Sequence, residues 1–434
     1  MDNPALDNAE FFDLEEIGRL QAARWEQQAA QIDAGSPFYR QLFGERRLSG
    51  RLEELAELPF TDKEMIRRDQ AANPPFGSYL ASAPEKVMRL HRTSGTTGTA
   101  MNLALSAQDA AMTESVGARA QRAAGLGPDH MVVHCLNYQL WMGGYTDHAT
   151  LELTGATVVP FGVGNAAKLV STIRALGITA ISCTPSYPAV LAQVIEDEFP
   201  GLAPRDLGLK LGLFGGEAAL DDPAFRRRLE ETWGFAARNA NYGVSDVLCN
   251  FAGQTPLCND LHFVALDVLY PELIDPATAA PLPWREGESG ELVLTHLVKE
   301  CQPLVRFRTG DIVTLTGLGF AACGRTAPRF RVTGRADDMV TVRGLNVFPS
   351  MIAAVLNRRA GLSGEFRIVL EGPPPYDALP LEVELAAQRA DEGLAGELER
   401  TIKREVGVTA QIALLDKGSL PRTEGKTKRV FRGG

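Results

Sequence analysis

Short apolar runs alternate with longer amphipathic segments through the middle of the chain. The apolar runs read MVVHCL, ATVVPFG, ITAISCTP and LKLGLFGGE, and AAKLVSTIRALG and YPAVLAQVIEDEF lie between them with apolar residues at helical spacing. Strands that alternate with helices form parallel sheets through right-handed crossovers. Residues from about 130 to 220 are therefore predicted to form α/β layers.

The pattern changes further along the chain. Residues 262–315 contain HFVALDVLY, GELVLTHL and DIVTLTG between turns rich in Pro and Gly, which is typical of hairpins. After GRADD, the strands FRIVLEG, LPLEVELA and AQIALLD accompany the helices SMIAAVLNRRAG and GLAGELERTIKREVG. The predicted fold is α/β, with a large N-terminal domain (1–334) that adds a β-rich subdomain, a polar hinge (335–338) and a small α+β domain (339–434).

Composition and charge favour small-molecule chemistry. The chain has 434 residues, of which 45% are hydrophobic, and its formal net charge is −10. That balance argues against a general nucleic-acid or anionic-membrane surface. The first residues lack signal-peptide order and no apolar run reaches about 18 residues, so we expect a cytoplasmic protein.

The stretch RTSGTTGTA at 92–100 is a candidate phosphate loop. Glycines let a backbone approach an anion and aim its amides, and hydroxyl side chains add donors without fixed charge. The residues that supply these groups are Ser94, Gly95, Thr96, Thr97 and Gly98. No lysine lies within the stretch, so any catalytic cation must come from elsewhere. The alternative is a polar turn between a strand and a helix.

Four further segments follow in a fixed order: YGVSD (242–246), RFRTGD (306–311), GRADDMVTVRGLNVFP (334–349) and PRTEGK (421–426). With RTSGTTGTA they resemble the signature series of the adenylate-forming superfamily, which includes acyl-CoA synthetases, adenylation domains and luciferases. The resemblance covers nearly the whole chain. TDKEMIRRD (61–69), CTPSYPAVL (183–191) and VRGLNVFPS resemble the phenylacetate-CoA ligase branch in particular.

This resemblance implies an AMP-forming acid-thiol ligase that uses ATP, Mg²⁺ and CoA. ATP converts a carboxylate to an acyl-adenylate and pyrophosphate, and the CoA thiol then displaces AMP. Lys426 would reach the carboxylate and the α-phosphate from a mobile C-terminal domain and offset the developing anionic charge. Rotation about Asp337 would withdraw Lys426 and present Gly344, which would line the pantetheine tunnel. The alternative for Lys426 is a solvated tail.

The resemblance also assigns the nucleotide site. Asp311 would accept hydrogen bonds from the ribose hydroxyls, Asp246 would bind Mg²⁺, and Arg335 would contact the ribose and phosphate. The remaining positions are Tyr242, which would stack on adenine, Gly215, Gly216 and Glu217, which would form the adenine-side wall, and Gly243 and Ser245, with Ser245 near the α-phosphate. Two departures stand out, because the family usually has Glu where Asp246 stands and Gly-Lys-Pro where this chain has Gly98, Thr99 and Ala100.

The cysteines offer a second metal hypothesis. Cys249, Cys258, His262 and Cys323 have the ligand types of a structural Zn²⁺ site, with Cys301 as an alternative ligand. The competing interpretation is that they are buried free thiols. Cys135 and Cys183 lie on predicted core strands, where a small apolar side chain is sufficient explanation.

The segment HCLNYQLWMGGYTDH at 134–148 is the candidate acyl pocket. Tyr138, Trp141 and Tyr145 would enclose a flat ring, and His134 and Asn137 would bind a ring substituent. An aromatic acid of the phenylacetate, benzoate or anthranilate type is predicted, and the sequence does not choose among them. The alternative is that these aromatics belong to the core.

Two other functions remain open at this stage. An adenylating enzyme that passes the acyl group to a carrier protein or an amine would form the acyl-adenylate normally but gain nothing from CoA. A non-catalytic nucleotide-binding protein would keep the fold but have lost turnover. The resemblance to the phenylacetate-CoA ligase branch also leads us to expect a homodimer.

Overall fold

A computed structural model describes residues 9–44, 46–93, 100–343, 345–372, 376–387, 393–421 and 428–432, apart from the side chains of Ala218 and Asn346. The predicted roles of Ser94, Gly95, Thr96, Thr97, Gly98, Gly344 and Lys426 lie outside these residues. Within the described ranges, no helix has the length and apolar character needed to cross a membrane.

Ten α-helices are described in these ranges. They are α1 (Leu14–Gly35), α2 (Pro37–Leu42), α3 (Lys63–Ala72), α4 (Ala107–Ala123), α5 (Met142–Glu152), α6 (Ala166–Leu176), α7 (Tyr187–Glu198), α8 (Pro223–Trp233), α9 (Pro349–Leu356) and α10 (Leu394–Glu405). Local sequence sets their ends. Asp13 and Glu16 form a capping box on α1, and Gly177 ends α6 in the left-handed conformation that glycine tolerates.

The same ranges contain twenty strands. They are β1 (Arg89–Arg92), β2 (Asn102–Leu105), β3 (Met131–His134), β4 (Thr157–Pro160), β5 (Ala180–Cys183), β6 (Leu211–Gly215), β7 (Ala236–Val244), β8 (Leu248–Thr255), β9 (Cys258–Phe263), β10 (Leu269–Ile274), β11 (Pro281–Leu282), β12 (Ser289–His296), β13 (Phe307–Gly317), β14 (Arg329–Arg335), β15 (Val340–Val342), β16 (Leu345–Val347), β17 (Leu362–Leu370), β18 (Leu379–Leu385), β19 (Ala410–Leu415) and β20 (Val430–Arg432).

A single large sheet joins the two predicted parts of the N-terminal region. Its strand order is β11-β10-β12-β13-β14-β9-β8-β7-β6-β5-β3-β4. The strands from β4 to β7 are parallel, and β7 then pairs with β8 in the antiparallel direction. The α/β class and the β-rich region are confirmed, and β7 belongs to both.

The predicted strand HFVALDVLY is interrupted by a turn between β9 and β10. Asp267 stands at this turn, and its buried carboxylate receives hydrogen bonds from Arg119 on α4 and Arg24 on α1. Those ion pairs tie the N-terminal helix to the sheet across more than two hundred residues. An alternation pattern carries no signal for such long-range partners, which explains why the break was not predicted.

Residues from Val340 onward have a hydrophobic core of their own. A sheet in the order β19-β18-β17-β20 supports α9 and α10. Polar contacts among the described residues join this part to the large sheet region: the Ser350 hydroxyl donates to the Thr333 carbonyl, and Arg228 donates to the Asn357 carbonyl. The predicted domain boundary at 335–338 therefore falls between two separate cores.

Candidate active site

Several of the predicted site residues that the structure describes lie at or next to one edge of the large sheet. His134, Cys183 and Gly215 end the parallel strands β3, β5 and β6, and Asn241 lies beside Gly215 where β7 leaves the parallel ladder. Ligands of open α/β sheets bind outside the carboxyl ends of the parallel strands. This edge is therefore the candidate active site.

A chain of hydrogen bonds joins three of the predicted nucleotide residues. The Tyr242 hydroxyl donates to Oδ2 of Asp311 at 2.8 Å, and the Arg335 guanidinium donates to Oδ1 at 2.6 Å. Arg335 also donates through Nε to Asp337 at 2.8 Å. The predicted adenine, ribose and hinge residues thus form one connected unit.

The ring of Tyr242 is held by aromatic neighbours. Phe251 and Phe330 contact it edge-on, with ring centroids 5.1 Å and 5.4 Å away. Burial, followed by the charge of Asp311, raises the pKa of Tyr242 well above its usual value, so its hydroxyl keeps the proton that it donates. Packing of this kind fixes the ring before any nucleotide arrives.

Two of the predicted glycines are needed for close backbone packing. A Cβ at Gly215 would collide with the Asn241 carbonyl, and one at Gly243 would collide with the Cys249 carbonyl. Gly216 has a φ of +84°, a conformation that side chains other than glycine rarely adopt. The glycines at 215 and 243 therefore allow β6, β7 and β8 to pack closely, and this structural role does not depend on a ligand.

Glu217 is held beside the turn that precedes α7. The Ser186 amide and hydroxyl donate to its two carboxylate oxygens at 3.2 Å and 3.1 Å. Burial raises the pKa of Glu217, and the hydrogen bonds from Ser186 oppose that effect. Ser245, by contrast, is exposed at the turn after β7.

Asp246 makes an ion pair that sequence reasoning missed. Lys63, the first residue of α3, donates to its Oδ2 at 2.8 Å. The side chain of Asp246 is only 6% exposed, and its Oδ1 is buried without a hydrogen-bond partner. Asp246 therefore keeps one carboxylate oxygen available to a further cation. Lys63 stands in the quoted TDKEMIRRD, but nothing in that stretch indicated its partner.

His134 is held entirely within the protein. Its Nε2 lies 3.0 Å and 3.1 Å from the carbonyls of Gly143 and Gly144, and its Nδ1 lies 3.2 Å from the Ser182 hydroxyl. Because carbonyls only accept, Nε2 carries the proton and Nδ1 accepts from Ser182. Burial lowers the pKa of His134 to about 4, so the ring is neutral. His134 orients α5 and has no nitrogen free for the ring substituent proposed from sequence.

The predicted aromatic residues are divided between two environments. Tyr138 donates or accepts at 2.9 Å with Nδ1 of His148 and contacts His134 edge-on. Tyr145 is 52% exposed, and the Arg89 guanidinium lies 4.5 Å from its ring centre. Tyr138 and Tyr145 line a groove of about 430 Å³ together with Met88, Arg89, Leu90, His91 and Leu140.

Trp141 and Asn137 belong to the loop that connects β3 with α5. Trp141 is the residue before the first turn of α5, and the Asn137 side chain accepts a hydrogen bond from the Gln139 amide at 2.9 Å. Gly144 has no room for a Cβ because the Asn137 carbonyl lies against it. The loop is thus folded tightly onto α5 at the carboxyl edge of the sheet.

The zinc hypothesis is wrong for these residues. Within the described ranges, no group of three or more His, Cys, Asp or Glu side chains is placed to hold a metal ion. Cys323 and His262 do meet, with Sγ 3.5 Å from Nε2. Cys258 and His262 are four residues apart on β9, about 13 Å along an extended strand. Cys249 instead contacts Asp147.

The structure also reveals a buried polar cluster that sequence analysis did not predict. Asp147 on α5 accepts hydrogen bonds from the Cys249 thiol at 2.7 Å and from the Asn241 side-chain amide. Asp147 is 94 residues from Asn241 and 102 from Cys249. No local pattern could have brought them together. Only the adjacency of Asn241 to the YGVSD segment pointed toward this place.

The fold and the site define a class of protein. The profile of the family described as AMP-binding enzyme matches residues 47–296, and that of the AMP-binding enzyme C-terminal domain matches residues 344–432. Adenylate-forming enzymes are what the five sequence segments predicted. The first profile includes the ends of the parallel strands and Tyr242, and the second includes most of the C-terminal core, whereas Asp311 and Arg335 lie between the two.

Individual relatives narrow the class. Phenylacetate-coenzyme A ligase of Pseudomonas putida is 36% identical, with 95% of this chain and 93% of the relative aligned. The enzyme of the same name from Thermus thermophilus is 34% identical over 96% of each chain. The chain therefore belongs to the AMP-binding enzymes, in the phenylacetate-CoA ligase-like branch, and the predicted AMP-forming acid-CoA ligase activity is confirmed at that level.

Solved structures agree with this placement. Crystal structures of 2-hydroxyisobutyryl-CoA ligase align with 98% of this chain and 91% of theirs. In the postadenylation state with 2-HIB-AMP, that enzyme is 30% identical and gives a TM-score of 0.88. In the thioesterification state with 2-HIB-AMP and CoA, the TM-score is 0.71. The present arrangement is thus closer to the postadenylation state.

Proposed function

We propose that the protein activates an aromatic carboxylic acid of the phenylacetate class with ATP and transfers the acyl group to CoA. The connected unit of Tyr242, Asp311 and Arg335 at the carboxyl edge of the sheet is the observation that carries this proposal. It provides a preformed place for a nucleotide in a chain whose relatives are named phenylacetate-coenzyme A ligases.

The nucleotide would lie against this unit. Each carboxylate oxygen accepts two hydrogen bonds, and each oxygen of Asp311 receives one within the unit, so capacity remains for the ribose hydroxyls. The ring of Tyr242 would support adenine, with Gly215, Gly216 and Glu217 on the other side. The loop at Ser94, Gly95, Thr96, Thr97 and Gly98 would hold the β- and γ-phosphates.

Asp246 fits the part of a Mg²⁺ ligand. Its Oδ1 is buried without a partner, and Mg²⁺ commonly uses one or two carboxylates together with substrate phosphates. A Mg²⁺ ion held in this way needs only one or two protein carboxylates. It does not need a group of three metal-binding side chains, which the described residues lack. When bound, the ion would neutralise phosphate charge, while Lys63 would keep the carboxylate in place from the other side.

The C-terminal region would take part in both steps of the reaction, adenylation and thioester formation. Lys426 would stabilise charge during adenylation, and rotation about Asp337 would then bring Gly344 to the pantetheine channel. The Arg335–Asp337 ion pair, at 2.8 Å, sits at the proposed domain boundary between 335 and 338. The higher similarity to the postadenylation structure supports an arrangement that precedes this rotation.

The acid would enter at the carboxyl edge beside the loop that carries Asn137, Tyr138 and Trp141. Tyr138 is half-buried and rigidly held by His134 and His148, which suits a wall for a flat ring. Tyr145 faces the outer groove with Arg89 and would act at its entrance.

The decisive experiment measures ATP- and Mg²⁺-dependent pyrophosphate release with phenylacetate and a panel of aromatic and short aliphatic acids, with and without CoA. Release together with an acyl-CoA identified by mass supports the proposal. Release without a thioester favours a carrier protein or amine as acceptor, and the absence of release with every acid favours a non-catalytic nucleotide-binding protein. Size measurement in the same buffer tests the expected homodimer.

A further inference from the structure

Asp147 is a buried acid on the side of α5 that faces the sheet. Its residue exposure is 2%, whereas Tyr145, two positions earlier, is exposed to solvent. Two residues of an α-helix are about 200° apart around the axis, so the two side chains leave opposite faces. Tyr145 faces the outer groove, and Asp147 faces Asn241 on β7 and Cys249 on β8.

The partners of Asp147 do not neutralise a carboxylate. A thiol is a weak donor and an amide is uncharged, and no cation of the described residues is among the groups that act on Asp147. Burial accordingly raises the pKa of Asp147 to about 7. An unpaired acid in the interior costs stability, and such groups concentrate where a ligand is recognised.

The position of the cluster relates it to the substrate. Asn241 is the last residue of β7 that pairs with β6, and Tyr242 of the nucleotide unit follows it. The Asp147–Asn241 contact therefore joins the acid-binding segment to the nucleotide-binding strand. Under the proposed function the acyl group would lie between those two, because its carboxylate is joined to the α-phosphate. Each carboxylate oxygen of Asp147 can accept two hydrogen bonds and receives one, from Cys249 or from Asn241. Asp147 can therefore accept a further hydrogen bond.

We propose, building on the ligase function above, that Asp147 selects the acid substrate by accepting a hydrogen bond from an amino or hydroxyl group on its acyl part. Such a donor replaces hydrogen bonds that the Asp147 carboxyl would make to water and loses when it is buried. An acid without the donor leaves this capacity unused, and sites built to bind a polar substituent discriminate strongly against analogues that lack it. Asn241 and Cys249 are positioning residues in this arrangement.

The test compares kcat/KM for pyrophosphate release with phenylacetate and benzoate against their amino- and hydroxy-substituted forms. In the wild-type protein, we expect at least one substituted acid to exceed its unsubstituted parent by about tenfold or more. Asp147→Ala should abolish this preference, so that kcat/KM for the substituted acid and kcat/KM for its parent then differ by less than about threefold. Asp129→Asn, at an exposed aspartate before β3, is the matched control and should change neither.

Each outcome decides the matter. A preference for amino over hydroxyl acids, or the reverse, identifies the donor. A wild-type preference for the parent acids, or an equal loss with every acid in Asp147→Ala, overturns the inference and leaves the ligase function intact. Pyrophosphate release with no aromatic acid removes the ligase proposal itself. If Asp147→Ala does not fold, the wild-type panel and Asp147→Leu, which has a similar volume but no acceptor, provide the same comparison.

Discussion

The hydroxyl of Tyr242 donates a 2.8 Å hydrogen bond to Oδ2 of Asp311, although the residues are 69 positions apart in the chain. Tyr242 stands on β7 and Asp311 on β13, so the contact reaches across the antiparallel half of the sheet. Arg335 continues the connection from Asp311 to Asp337 at the proposed hinge. A nucleotide bound to this unit would therefore contact residues linked directly to the proposed hinge.

Tyr242→Phe should weaken ATP binding while leaving the fold intact. The substitution removes one hydroxyl from a buried site and takes one donor from Asp311. Hydrogen bonds to charged groups contribute about 1.5–3 kcal/mol, and without this one the nucleotide itself must order Asp311. KM for ATP should therefore rise, with about tenfold to a hundredfold as the upper bound, while KM for the acid changes little. Steady-state pyrophosphate release measures both constants. Tyr270→Phe, at a half-buried tyrosine on β10, is the control, and an equal rise there would contradict the assignment.

Lys63→Met should make the stability of the protein more sensitive to Mg²⁺ bound at Asp246. The change keeps most of the side-chain volume and leaves a nearly buried carboxylate without its ion-pair partner. Lys63 is 42% exposed, so we expect a modest loss of about 1–2 kcal/mol in the free energy of unfolding. Millimolar Mg²⁺ should then raise the melting temperature of Lys63→Met more than that of the wild type.

The double variant Lys63→Met with Asp246→Asn is the comparison for this experiment. It should recover most of the lost stability and show no extra response to Mg²⁺. Equal Mg²⁺ responses in the wild type, the single variant and the double variant would show that Asp246 is not a metal ligand.

Lys426→Ala should separate the two half-reactions. A positioned cation that stabilises transition-state charge is commonly responsible for a factor of about 10² to 10³, so adenylation should fall by at least that much. Thioester formation from synthetic acyl-adenylate and CoA should stay within a few-fold. Lys428→Ala is the neighbouring control, because its ammonium lies 5.3 Å from the Phe431 ring and stays with the C-terminal core. Similar losses in both half-reactions would contradict the role of Lys426.

Periodic segments of the sequence predicted the fold well. The runs at β3, β5 and β6 and the helical patterns at α6 and α7 all form the predicted elements, because local burial dictates their period. The single twelve-stranded sheet was not predicted, since the change from parallel to antiparallel pairing occurs inside β7 and leaves no mark on hydrophobic spacing.

Site residues carried by short motifs were easier to predict than those assembled by tertiary structure. Tyr242, Asp311 and Arg335 lie in recognisable segments and do meet. The zinc hypothesis failed because close spacing in sequence becomes long separation on strands. Cys249 is six positions, or about 20 Å, from the Thr255 that pairs with Cys258. Asp147 and Lys63 were missed because their partners are distant in sequence.

Asp147→Asn should change how stability depends on pH. The pKa of Asp147 is about 7 in the folded protein and near 3.8 when unfolded, so between these values only the native state retains the proton. Ionisation in the native state is then unfavourable, and this group lowers stability as pH rises. The asparagine variant should gain on the order of 2 kcal/mol relative to the wild type between pH 5 and pH 7. Urea unfolding of both proteins measures the difference and cancels the titration of other groups. A constant difference across this range would mean that the Cys249 and Asn241 hydrogen bonds keep Asp147 ionised.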